Sequence, residues 1–183
     1  MKPMTRTHGT TSLPRPRRLA SPAPKRSHPL VEAAATATTA AFAGGCLLTQ
    51  VVTVPHWRDM DPAAFLPHFA SAGPATGAVQ LPVDVASVLL LGITTYANVK
   101  ERRPGRTPSA LAAAGMAGTV ILLPVYFARA NFALLDPDFP LEDVPAELSS
   151  WSRWNWVRTG LAVAATALSC AALAANRNTR TKV

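Results

Sequence analysis

Charge, cysteine, histidine and recognisable catalytic signatures are all scarce in this chain. Only 15% of its 183 residues are Asp, Glu, Lys or Arg, whereas soluble domains carry about 25%. The long uncharged stretches of Ala, Val, Leu and Gly must therefore lie in lipid. The two cysteines, Cys46 and Cys170, sit inside apolar segments and read as small packing residues. Their expected depths, about 20 Å and about 8 Å from one membrane face at about 1.5 Å per residue, argue against a bond between them. The four histidines show no metal-ligand spacing. There is no Walker loop, dinucleotide glycine pattern, Gly-x-Ser-x-Gly, paired CxxC or HExxH, so neither a cofactor nor a metal is expected. The net charge of +8 raises nucleic acid as a partner. The basic residues, however, form three short blocks at the edges of apolar segments, which marks topology and excludes a binding groove.

What is present is a succession of apolar runs. Residues 1–30, with TSLPRPRRLASPAPKRSHP, hold almost no large apolar side chains and are expected to form a disordered cytoplasmic tail. The pair Arg17 and Arg18 resembles a twin-arginine export signal, but polar, Pro-rich sequence follows where an apolar core should begin. Residues 31–176 are expected to form one four-helix transmembrane domain, with spans near 33–54, 83–99, 109–128 and 154–175. Residues 177–183 are expected to form a second cytoplasmic tail. The span at 83–99 is the shortest and carries Asp84 near its start. The expected fold class is an all-α membrane protein, a four-transmembrane-helix bundle. Small residues such as Ala40, Ala41, Gly44 and Gly45 predict close helix packing in the first span.

The distribution of lysine and arginine orients the bundle. The N-terminal tail holds seven, the Lys100–Arg106 linker four and the C-terminal segment three, all on one side. Only Arg58, Arg129, Arg153 and Arg158 remain for the other side, whose loops are acidic. The positive side faces the cytoplasm, so a multi-pass protein of the cell membrane with both termini cytoplasmic is expected.

Polar residues gather at the outer ends of the helices: Gln50, His56, Trp57 and Arg58, then Gln80 and Asp84, then Arg129 and Asn131. Trp151, Arg153, Trp154, Asn155 and Arg158 lead into the fourth span. Trp151, Trp154, Asn155 and Arg158 are separated by threes and fours, so they share one helix face. A membrane-embedded arginine calls for a partner, and Asp84 is the acid best placed to supply it. A structural pair and a functional pair are both open. Trp154 and Trp156 also fit an aromatic belt at the membrane boundary, and His56 fits an ordinary surface histidine.

The stretch GGCLLTQVVTVPHWRDMDPAAFLPHF, the segment PVYFARANFALL and the entry WSRWNWVRTGLA together resemble the small four-helix membrane proteins of the anthrone oxygenase-like family, much of which is catalogued as a domain of unknown function. The likeness spans residues 33–175. It implies oxidation of an anthrone-type polyketide to a quinone by molecular oxygen, without metal or flavin. Asp84 or His56 would then remove the ring proton, and Arg158, Asn155 and Asn131 would hold the resulting oxyanion. Trp57, Trp151 and Trp154 would line the site for a flat aromatic substrate arriving from the bilayer. Many members of that family carry histidine where this chain has Asn155, and an amide cannot shuttle protons. The rival reading is a non-enzymatic membrane protein that binds a lipid, a small ligand or a partner subunit through the outer cluster. A transporter or channel is disfavoured, because no run of charges follows a path through the membrane. Oligomeric state is not legible.

Overall fold

A computed structural model describes residues 29–180, and among these the chain is built from helices without strands. Helix α1 is Pro29–Asp59, α2 is Pro62–Lys100, α3 is Arg106–Leu134 and α4 is Val144–Arg180. All four are long and apolar enough to cross a membrane. The protein is an all-α, multi-pass membrane protein, a four-transmembrane-helix bundle. Both α1 and α3 pack on α2 and α4, so the helices form a ring whose diagonal pairs barely meet. Two connections, 60–61 and 135–143, mark one end of the ring, called here the loop end. The opposite end, the linker end, carries the 101–105 linker and both ends of the described chain.

Each helix outruns its expected span, most of all α2. Residues 62–82 were not part of the expected span at 83–99, yet they are helical through Pro67, Pro74 and Pro82. Pro29 and Leu30 open α1, and α4 continues past 176 to Arg180. The rest of the expected N-terminal tail lies outside the described residues. Local chemistry sets the boundaries. Asp61 caps α2 by accepting the Ala63 N–H at 2.9 Å, with Pro62 in the first turn, where a missing N–H costs nothing. Arg102 ends α2 with φ of 52°, the left-handed conformation that stops a helix.

Prolines also reshape helix interiors. Pro55 cannot donate to the turn before it, and the five residues Thr49–Thr53 widen into a π-turn in which the Val54 N–H bonds to the Thr49 carbonyl. Pro124 lies in a matching π-turn, Leu123–Phe127, closed by the Ala128 N–H on the Leu123 carbonyl. Such turns often accompany functional sites.

The core changes character along the bundle. Toward the linker end it is built from small and medium residues, among them Ala35, Ala43, Ala112, Ala162 and Ala165. Toward the loop end it is aromatic, with Trp57, Phe65, Phe69, Tyr126, Phe127 and Trp151 buried together. Close helix approach depends on α3, where a side chain at Gly118 would press on Leu161 at 3.2 Å and one at Gly115 on the Ala165 methyl at 3.4 Å. The first-span set differs from expectation. Ala40, Ala41 and Gly44 face outward, and the buried stripe of α1 is instead Ala35, Thr39, Phe42, Ala43 and Cys46. Large apolar side chains such as Val85, Leu89 and Ile93 are exposed on the outside of α2, as a lipid-facing surface requires.

Candidate functional site at the loop end

The polar residues of the loop half are joined across all four helices. Gln50 on α1 accepts from Asn155 Nδ2 at 2.8 Å and donates to Ser152 Oγ at 2.7 Å, both on α4. Gln80 Nε2 on α2 donates to Thr49 Oγ1 on α1 at 3.2 Å. Trp151 Nε1 on α4 donates to Asn131 Oδ1 on α3 at 3.0 Å. Hydrogen bonding of this kind is required, because a buried amide without a partner costs about 1–3 kcal/mol.

Asp84 and Arg158 form the charged centre. The Asp84 side chain is wholly buried, and its Oδ2 lies 3.2 Å from Arg158 Nη2. Its Oδ1 accepts from the Thr119 hydroxyl at 2.7 Å, so both oxygens are engaged. The guanidinium lies over two rings, 4.8 Å from the centre of Phe42 and 5.5 Å from that of Phe127, where the π faces favour a cation. Among the described residues Arg158 Nε has no hydrogen-bond acceptor. A guanidinium carries five N–H donors, and only one bond here reaches a carboxylate.

Beside this pair lies a cavity of about 310 Å³, within the range typical of small-molecule sites, about 300–1,000 Å³. Its walls come mainly from Phe69, Phe127, Phe132, Trp57 and Trp151, with Gly73, Pro74 and Gly77 forming a low wall on α2. Both π-turns contribute, through Thr49 and through Leu123 and Phe127. Among the described residues that line it, Arg158 alone is charged. Thr49, Gln80 and Asn131 add neutral polar groups.

The expected site residues divide into three sets. Arg158, Asn131, Trp57 and Trp151 line the cavity. Asp84 and Asn155 are buried next to it but are not among its lining residues, and their polar atoms are spent on Arg158 and Thr119 and on Gln50. His56 and Trp154 stand apart. His56 is exposed and rests edge-on against His68, with ring centres 6.1 Å apart. Trp154 is half-buried and stacks on Tyr126 at 5.4 Å and 21°, whereas Trp156 is exposed as a belt residue would be. Thr49, Thr119, Phe42 and Phe127 were not anticipated, because a single threonine or phenylalanine in an apolar run carries no signal of its own. The prolines at 55 and 124 were the available clue.

A second polar assembly, at the linker end, was also not anticipated. Glu32 Oε1 lies 2.7 Å from Arg103 Nη1, and Asn176 Nδ2 donates to Asn98 Oδ1 at 3.1 Å. Asn98 in turn donates to Ser109 Oγ at 3.2 Å. Asn176 Oδ1 accepts the Gly105 N–H at 3.0 Å. Every helix contributes to this clasp. Among the described residues no three His, Cys, Asp or Glu side chains come together as metal ligands would. The loop-end residues supply hydrogen bonding and an arginine paired with an aspartate beside an aromatic hollow. No family model matches the chain, and no curated protein or solved structure is significantly similar to it.

Proposed function

We propose that this protein binds a flat aromatic molecule with an oxygen-bearing edge in the loop-end cavity and promotes its oxidation by molecular oxygen, as its resemblance to the anthrone oxygenase-like family implies. The observation that carries the binding step is Arg158, a buried guanidinium with uncommitted donors on the wall of an apolar, aromatic cavity. The rings supply area for a planar ligand, and the cation selects an oxygen that is anionic or becomes so. The positive-inside distribution supports placing both termini in the cytoplasm, and with it the cavity near the outer face of the cell membrane.

In an anthrone the methylene opposite the carbonyl loses a proton to give an enolate, whose negative oxygen Arg158 and Asn131 can hold. Oxygen adds at the carbanionic carbon to give a hydroperoxide. Loss of water leaves the quinone carbonyl, so one oxygen atom stays in the product and the other departs in water. The protein's part is electrostatic: the donors of Arg158, held in place by Asp84, lower the cost of the anion. Neither expected base reaches the cavity lining, Asp84 because both oxygens are engaged and His56 because it is exposed elsewhere. The proton would then pass to water or hydroxide, from the methylene or from the hydroxyl of the phenolic tautomer. That same observation favours the second reading, a binder without turnover.

An oxygen electrode distinguishes the two. Protein in lipid nanodiscs supplied with anthrone should consume oxygen faster than empty nanodiscs and yield anthraquinone, and Arg158→Met should abolish the gain. Quenching of tryptophan fluorescence by the ligand without oxygen uptake would support the binder. No quenching and no uptake would remove both readings.

A further inference from the structure

We propose that the cavity is loaded sideways, from the lipid leaflet, through a slot between α2 and α3 framed by Gly77, Leu81, Ala128 and Phe132. The inference rests on the cavity being a ligand site and adds the route by which the ligand reaches it. All four residues line the cavity, yet Gly77 and Leu81 are exposed and Phe132 is 74% exposed, so the lining continues onto the outer surface of the bundle. A side chain built at Gly77 would meet nothing within 4 Å, which leaves an opening where other residues would place a wall.

The depth of the slot fits an amphiphile. From Lys100 at the linker end, α2 rises about 28 Å to reach Leu81, at about 1.5 Å per residue. A hydrocarbon core is about 30 Å thick. By the same rise Gly77 lies about 34 Å above Lys100 and Phe132 about 39 Å above Arg106, so the lower lip of the slot meets the edge of the acyl layer and its upper part faces the headgroups, the level at which ring systems with one polar edge collect. Arg158 enters from α4 at a similar height, rising about 27 Å from Asn176. A ligand sliding in ring-first along the membrane plane would meet the cation without crossing either layer.

Passage from a second hollow at the loop end is obstructed by comparison. Trp57 makes edge contacts with Phe65, Phe69 and Trp151 at 5.9, 5.4 and 5.4 Å, and all four rings are buried. A second hollow of about 330 Å³ opens at the loop end between Trp57, Met60, Val144 and Leu148. Trp57 lines both hollows, so passage from one to the other requires its indole to leave three ring partners.

Binding kinetics test the route. The probe is anthracene-9-carboxylate, a stable fluorescent tricycle with one anionic edge, added to full-length protein in nanodiscs. Gly77→Phe should slow association by about tenfold, because it narrows the entrance, and should slow dissociation through the same entrance with it. Phe132→Ala should accelerate both, which keeps the test decisive if the larger substitution impairs folding. Association should follow the probe's concentration in lipid when the lipid-to-protein ratio is varied. Probe binding with rates indifferent to both substitutions, or faster only in Trp57→Ala, overturns the lateral route and leaves the ligand site standing. Absence of probe binding to the wild-type protein, with its aromatic probe and its charge both suited to Arg158, would sink the ligand site and the route together.

Discussion

At the residue scale, the most consequential pair is Asp84 with Arg158. Removing one member of a buried ion pair strands the other, at a cost of about 3–5 kcal/mol. Asp84→Ala and Arg158→Ala should each lower the melting temperature in detergent, and the double substitution should cost less than their sum. Simple additivity would show that the two charges do not depend on one another, despite the 3.2 Å separation. Gly105 is a different kind of constraint. A Cβ there would lie 2.7 Å from the Ala172 carbonyl oxygen and 2.7 Å from Asn176 Oδ1. Gly105→Ala should therefore separate the linker from α4 and destabilise the protein by about 1–3 kcal/mol, the usual range for overpacking. An unchanged melting curve would show that the linker yields. The charged pair was legible in the sequence because two opposite charges stood alone in apolar runs at matching depth. The clasp around Glu32, Asn98 and Asn176 was not, because the linear order gives no hint that such residues meet.

At the element scale, α2 departs furthest from what a hydropathy reading implies. Apolar length identifies the part of a helix that faces acyl chains, whereas a helix continues for as long as its backbone bonds are satisfied, which is why residues 62–82 escaped notice. The same helix holds three interior prolines, and each removes one backbone bond. Pro74 borders the cavity beside Gly73 and Gly77. Pro74→Ala should raise stability by up to about 3 kcal/mol, the penalty of an interior proline, and at the same time weaken probe binding by removing part of that wall. Thermal unfolding and fluorescence titration read the two effects separately. A loss of stability would mean that the packing of the proline ring outweighs the backbone bond it removes. The cavity itself was only partly foreseen: Trp57, Trp151, Asn131 and Arg158 were named, but its phenylalanines, the small-residue wall and both π-turns depend on where four separate helices come to lie.

For the whole molecule, the first question is orientation. After both Cys46 and Cys170 are changed to Ala, cysteine at Ala63 or Ala146 should react with a membrane-impermeant thiol reagent in intact cells, and cysteine at Ser21 or Thr181 should not. The reverse pattern would invert the bundle and place the cavity toward the cytoplasm. The charged centre also bears on how the chain is made. Asp84 stands on the second helix, its hydroxyl partner Thr119 on the third and its cation Arg158 on the fourth. A ribosome delivers them in that order, so the second helix reaches the membrane with an acid that has no counter-charge, where a lone aspartate costs up to about 3 kcal/mol at the centre of the hydrocarbon and less toward its edge. Its insertion is provisional until the last helix arrives, and nascent chains halted before residue 158 should leave that segment exposed to water or held by the insertion machinery, making synthesis of the final helix the step that commits the topology.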